Sequence, residues 1–345
     1  MKPSLGRAPD GERLARIESS PNYRDGVFHN TLPTTTLTED KNFIVSMAEF
    51  LFGGSDRQKP RAPLPAKPID FAALPADKDA VIWMGHSTLY LQMSGAKILV
   101  DPVFSTYAAP LPFMNRAFAS TNTYGAQDIP ALDAVLITHD HWDHLDRPSI
   151  LALKERAGRF ICPLGVGAHL AYWGIPADKI IETDWNDAYD LTPALRIHTL
   201  EARHFSGRLL NRNMTLWGSF LLERDGRRVF ISGDTGYGPH FAEIGARFPG
   251  INLAIVENGQ YNEDWATIHL MPHELFKAAE DLAAKKMITV HNGKFDLSQH
   301  AWDDPYEEAL AHAEDSPVTL LTPMMGEVVL PDDEQIFSYW WREID

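Results

Sequence analysis

From residue 80 onward, apolar positions recur in short runs separated by turn-forming residues. "AVIWM" (80–84), "TLYLQM" (88–93) and "KILVD" (97–101) are β-type runs with turn residues between them, and they predict a meander. "DAVLI" (133–137) is apolar enough for a buried strand, and "NLAIV", "KMITV" and "VTLLT" repeat that pattern further on. "WGSFLLERDGRRVFISGD" carries Asp225-Gly226 between two strand patterns, a hairpin signal. "RPSILALKERAG" (147–158) predicts a helix with Pro148 near its start and Gly158 after its end. "PHELFKAAEDLAAKK" (272–286) and "DPYEEALAHAE" (304–314) predict two more, and the terminal "FSYWWREID" reads as a packing strand. Strands and helices intermix through both halves, which fits sheet layers covered by helices.

Residues 1–77 follow a different pattern. Prolines recur in "RQKPRAPLPAKPIDFAALPADKD", which predicts extended, irregular chain. Before it, "NFIVSMAEFLFGG" (42–54) is a short apolar helix candidate ended by Gly53-Gly54. The expected organisation is an N-terminal arm over 1–77 docked on a main domain over 78–345. A sharper reading of the apolar stretch is a substrate-channel or peripheral membrane element. It lacks the basic face of a typical interfacial helix.

Composition narrows the function classes. The 345 residues carry a net charge of −16, a field that repels phosphate backbones, so no nucleic-acid partner is expected. A single cysteine, Cys162, rules out an intrachain disulfide and a thiolate metal cluster. The first twenty residues lack a signal-peptide core, and no run reaches membrane-span length. The expected compartment is cytoplasmic, with membrane association left open. Oligomeric state is not written in the pattern.

The chemistry concentrates in "ITHDHWDHLD" (137–146), directly after the strand at 133–137. His139-x-His141-x-Asp143-His144 leaves the sheet and turns, so these side chains can converge on one point. Neutral imidazole and carboxylate are standard ligands for zinc and similar ions. Asp140 and Trp142 read as spacers, and Asp146 as a group supporting the ligands from behind. Other strand ends supply further donors. Asp234 follows "VFIS" between Gly233 and Gly236, and His291 follows "MITV". In "RIHTLEARHFSGR", His198 fits an alternating strand, whereas His204 lies beyond it in a polar turn. The set divides into His139, His141 and His204 for one ion and Asp143, His144 and His291 for a second, with Asp234 bridging. That division suits two divalent ions roughly 3.5–4 Å apart with a hydroxide between them. Zinc suits such ligands, and iron or manganese fits them too.

This ordered ligand set resembles the metallo-β-lactamase superfamily over residues 78–330. The resemblance implies an α+β fold, an αβ/βα four-layer sandwich of two mixed β-sheets flanked by helices, with a dinuclear site at one sheet edge. A finer resemblance is to the N-acylphosphatidylethanolamine phospholipase D-like branch. "MGHSTLYLQ", "ILVDPVFS", "SGDTGYGPHFAEIG", "QYNEDWATIHLMPHE", "KFDLSQHAWDDP" and the N-terminal "SPNYRDGVFHN" carry it. Asn292 and His273 depart from the usual residues of that branch. The resemblance implies a metal-dependent phosphodiesterase acting on a lipid or small-molecule phosphodiester. Asp143 then orients the nucleophile, and His269 contacts the phosphate or protonates the leaving group. His86 is either a group orienting a ligand or a structural histidine. Tyr261, Trp265 and Lys294 are candidate pocket residues. The rival readings are a lactone or ester hydrolase with the same two ions, and a non-catalytic metal-binding member.

Overall fold

The computed structural model describes residues 2–37, 54–111, 114–208 and 211–344. The helix expected over 42–54 therefore lies almost wholly outside the described residues. Chain order begins with helix α1 (Gly11–Glu18) and a two-residue hairpin, β1 (Tyr23–Arg24) and β2 (Val27–Phe28). The expected meander follows as β3 (Ala80–Trp83), β4 (Leu89–Met93) and β5 (Ala96–Val100), antiparallel to one another. Next come β6 (Leu132–Leu136), β7 (Ala157–Pro163) and β8 (Ile180–Thr183), added in parallel. With β18 (Val328–Val329) on the free edge of β3, these strands form a seven-stranded sheet in the order β18-β3-β4-β5-β6-β7-β8.

The second sheet repeats the plan. Strands β9 (Ala188–Thr192), β10 (Leu195–Leu200), β13 (Ser219–Arg224) and β14 (Arg227–Ile231) pair antiparallel. Strands β15 (Leu253–Glu257), β16 (Lys286–Val290) and β17 (Thr319–Leu321) continue in parallel. A small hairpin, β11 (Gly207–Arg208) and β12 (Asn211–Arg212), stands between β10 and β13. The predicted turn at Asp225-Gly226 closes β13 onto β14 with both residues at positive φ, as a type I′ turn demands.

Side-chain alternation decides what each face buries. On β13, Phe220 and Leu222 point into the main core between the sheets, beside Ile98, Leu136 and Phe160 of the first sheet. Leu221 points the other way, into a cluster with Phe241, Ile244, Leu275 and Phe276. Those residues belong to α4 (His240–Arg247) and α5 (Pro272–Asp281), which with α6 (Asp304–Ala313) cover the outer face of the second sheet. The first sheet carries α2 (Arg147–Leu153) and α3 (Val166–Tyr172), whose Ile150, Leu153, Val166 and Leu170 are fully buried.

Three expectations need correction. Helix α2 stops at Leu153, five residues before Gly158, because Ala157–Pro163 pairs with β6 and the sheet ladder takes priority over helix propensity. Similarly, α5 ends at Asp281. "FSYWWREID" is not a strand; its Trp340–Glu343 is a 3₁₀ turn that buries both tryptophans against Tyr306.

Candidate metal centre

Both sheets deliver side chains to one place. The first contributes His86, just after β3, and the 139–144 loop after β6; the second contributes His204 after β10, Asp234 after β14 and His291 after β16. A backbone bridge locks them together: His86 N–H donates to Asn292 O (3.0 Å) and His291 N–H to His86 O (3.0 Å). His86 and His291 hold positive φ, 53° and 68°, a costly conformation that concentrates at functional sites. Gly236 permits the turn after Asp234, since a Cβ there would lie 2.1 Å from Thr267 O.

The donors fall into two groups of four and a third, Asp234, His269 and His291, that overlaps both, each with all its ligand atoms within 4.8 Å of one another. One group of four is His139, His141, His204 and Asp234; the other is His86, Asp143, His144 and His291. In the first, His141 Nδ1 lies 2.9 Å from His139 Nε2 and 3.3 Å from His204 Nε2. In the second, Asp143 Oδ2 accepts from His86 Nε2 (2.8 Å) and His291 Nε2 (3.2 Å). Asp234 Oδ2 joins the groups: it is 3.6 Å from His139 and 3.7 Å from His204 on one side, and 3.1 Å from His144 and 3.3 Å from His291 on the other. All seven expected ligands thus converge, in the expected division. The addition is His86, whose Nε2 sits within the second group rather than behind it.

The donor chemistry fits divalent cations. His144 Nε2 and Asp234 Oδ1 are buried without a hydrogen-bond partner, which is costly unless something else satisfies them. Their partners behind the cluster fix the imidazole tautomers. His144 Nδ1 donates to Asp101 Oδ2 (2.8 Å), and His204 Nδ1 donates to Ile268 O (2.9 Å), so each turns its Nε2 lone pair inward.

Electrostatics follow from six imidazoles and two carboxylates crowded out of water. Burial, then the neighbouring imidazoles, pushes His139 well below its usual range, and burial lowers His141 to about 4. Burial also takes His86 down to about 3. Burial opposes charge on His144 too, but Asp234, Asp143 and Asp101 outweigh it and hold that group well above its usual value. His291 is lifted to about 9 by Asp234 and by hydrogen bonds to Asp143 and Glu257, again against burial. Despite burial, the surrounding imidazoles keep Asp143 and Asp234 ionised, well below the ordinary carboxylate range.

The cluster floors a pocket of about 380 Å³ lined by His141, Asp143, His204, Asp234, His269 and His291. Thr36, Leu37, Phe205, Arg212, Gln260, Trp265, Ile268 and Leu297 form the walls. His269 is therefore in the pocket, as expected, and so is Trp265. Tyr261 and Lys294 do not line it. Tyr261 stacks on His300, and Lys294 is buried with Nζ donating to Val103 O (2.7 Å). His198 pairs with Glu223 on the second sheet, as a sheet histidine does. Asp146 caps α2 through Ser149 N–H and also accepts from Ser105, so it serves the helix and not the ligands.

Three supporting residues escaped the sequence reading. Asp101 accepts from Thr138 N–H, Thr138 Oγ1 and His144 Nδ1. Glu257 is fully buried; its Oε1 accepts from His269 Nδ1 (3.2 Å) and Leu270 N–H (2.8 Å), and its Oε2 lies 3.5 Å from His291 Nδ1. A carboxylate closing an apolar strand was the available signal for both. Arg208 is buried over Trp142 (3.8 Å) and donates to Asp140 O, Leu145 O and Ser4 O. It clamps the 139–144 loop to the N-terminal arm, and only its position after His204 marked it. The arm also reaches the rim: Asn30 exchanges hydrogen bonds with the His204 backbone, and Thr267 donates to Thr35 O.

A family profile described as the beta-lactamase superfamily domain matches residues 96–292. An uncharacterized Mycobacterium tuberculosis protein is 38% identical over 330 residues, covering 94% of this chain and 88% of its own. The mitochondrial N-acyl-phosphatidylethanolamine-hydrolyzing phospholipase D of Saccharomyces cerevisiae is 33% identical over 239 residues, 66% of this chain and 50% of that longer protein. Among solved structures, the metallo hydrolase Igni18 from Ignicoccus hospitalis superposes with a TM-score of 0.57 at 19% identity, over 73% of this chain and 97% of its own.

Proposed function

This chain belongs to the metallo-β-lactamase superfamily, near its N-acylphosphatidylethanolamine phospholipase D branch, and on that premise we propose that it is a phosphodiesterase of phospholipase D type. The coarser activity, metal-dependent hydrolysis, comes with the family. The observation that carries the finer reading is that donors from both four-member groups line one pocket together with His269, whose Nδ1 faces Glu257.

In this reading His139, His141, His204 and Asp234 would hold one ion. Asp143, His144 and His291 would hold the second, with Asp234 shared and His86 steadying Asp143. Bound divalent ions supply Lewis acidity toward a phosphoryl oxygen and lower the pKa of water. Asp143, kept ionised and partly open to the pocket, orients that water. Glu257 holds the Nδ1–H of His269, so His269 Nε2 is the atom left to meet the substrate. From there it contacts the phosphate and passes a proton to the departing alkoxide. Leu37, Phe205, Trp265, Ile268 and Leu297 provide apolar walls for an acyl or aryl portion.

The test is a substrate panel on protein of measured metal content. Bis-p-nitrophenyl phosphate and N-acylated phosphatidylethanolamine should turn over, with activity lost on chelation and restored by a divalent ion. Hydrolysis of lactones with no diester turnover would sink the reading in favour of carbonyl chemistry at the same site.

A further inference from the structure

Among the described residues, the walls of the metal pocket contain one Lys or Arg, Arg212, in a chain of net charge −16. Its side chain is exposed, and no carboxylate among the described residues forms an ion pair with it. Two weaker contacts hold it over the opening. Nη1 donates to Thr36 Oγ1 (3.3 Å), and the guanidinium lies 5.5 Å above the Phe205 ring. Phe205 in turn packs edge-on against His141, with ring centroids 4.4 Å apart, and 4.9 Å from His204. Arg212 therefore stands one aromatic ring away from the metal-binding imidazoles. The remaining wall residues, Leu37, Trp265, Ile268 and Leu297, are apolar, and Gln260 is neutral.

An arginine with no carboxylate partner among the described residues, on an acidic protein and at its pocket, has the charge and the fork geometry to take an anion. Ions held by the cluster would account for one anionic group of the substrate. We propose that Arg212 recognises a second one: the substrate class is a phosphodiester that carries a further carboxylate or phosphate about one ring's width from the scissile group. The identity of the first group rests on the phosphodiesterase reading; the recognition by Arg212 does not.

The probes are 4-carboxyphenylphosphonate and its neutral isostere, 4-carbamoylphenylphosphonate. One benzene ring separates the two groups of each, as Phe205 separates Arg212 from His141. Binding to zinc-loaded protein is measured by calorimetry, independent of turnover. Wild type should bind the carboxylate about tenfold tighter, equivalent to ~1.4 kcal/mol, and the preference should shrink as salt is raised, because the guanidinium is exposed. In Arg212→Gln the ratio should fall to about one; Arg212→Lys should keep part of it, a point charge without the fork. Equal binding of both probes by wild type, a ratio unchanged in Arg212→Gln, or no binding of either probe overturns the proposal. A 4-phosphonophenylphosphonate arm tells a phosphate-type second group from a carboxylate by which binds tighter. Should Arg212→Gln not fold, the wild-type ratio and the Lys variant still decide. If the preference holds while bis-p-nitrophenyl phosphate is not hydrolysed, the phosphodiesterase reading fails and the anion subsite stands.

Discussion

Asp101→Asn isolates the contribution of a residue that never touches the pocket. The native carboxylate is buried and saturated: Oδ1 accepts Thr138 N–H (2.8 Å), while Oδ2 accepts Thr138 Oγ1 (2.6 Å) and His144 Nδ1 (2.8 Å). Asparagine has the same shape and tolerates the positive φ of 41° at this position, so the backbone is not disturbed. It has only one acceptor oxygen. If that oxygen serves His144, the Thr138 N–H meets an NH₂ group; if it serves Thr138, His144 loses its anchor. Either arrangement leaves a buried donor unmatched, at about 1–3 kcal/mol. The loss of negative charge also makes the His144 imidazole a poorer donor to a cation. Replacing such a supporting carboxylate typically lowers metal affinity by about 10–100-fold, which is ~1.4–2.7 kcal/mol. Competition against a chromophoric chelator measures this directly, with near-UV circular dichroism confirming the fold. Metal affinity within about twofold of wild type, in a folded variant, would refute the role given to Asp101.

His269→Ala should retain its metal and lose about 10²–10⁴-fold in kcat, the usual share of a proton-transferring group; a matching drop in metal content by elemental analysis would make it a ligand instead. Arg208→Ala should destabilise the fold by roughly 3 kcal/mol, because three carbonyls, two of them buried, lose a charged donor, and Arg208→Lys should not rescue it, since one ammonium cannot span Ser4, Asp140 and Leu145. In metal-free protein, stability should peak near neutrality. His86 and His141, depressed to about 3 and about 4, take up protons on unfolding, so stability falls as pH drops from about 6.5 through those values. His291, raised to about 9, has the opposite sign: its contribution is complete below about 6.5 and disappears as pH rises through 9. Melting temperatures of chelator-treated protein at pH 5, 7 and 9.5 test this, and a monotonic series would contradict it.

The candidate ligands were legible because they follow strands, where the chain leaves a sheet and side chains from separate strands can meet. Asp234 and His291 are isolated in sequence, and their place after "VFIS" and "MITV" distinguished them from ordinary polar residues. His86 has the same placement after "VIWM", yet its contact with Asp143 depends on the positive φ and on the bridge to Asn292, neither of which a pattern carries. Glu257 was hidden for another reason. A carboxylate at the end of β15 is unremarkable until the packing of α5 brings His269 over it. Element existence followed periodicity well; boundaries did not, as with α2, where competition from the β6–β7 ladder ended the helix early.

The backbone bridge between His86 and Asn292 has a consequence for how the centre comes into being. Each donor group draws on both sheets: His204 and Asp234 complete one, and His291 the other, with partners 63–205 residues apart in the chain. Until the sheets dock, the 139–144 loop can offer a cation only an incomplete shell. A complete donor set is thus a property of the finished protein, and any ion the centre takes up would meet a cage already set by the docked sheets.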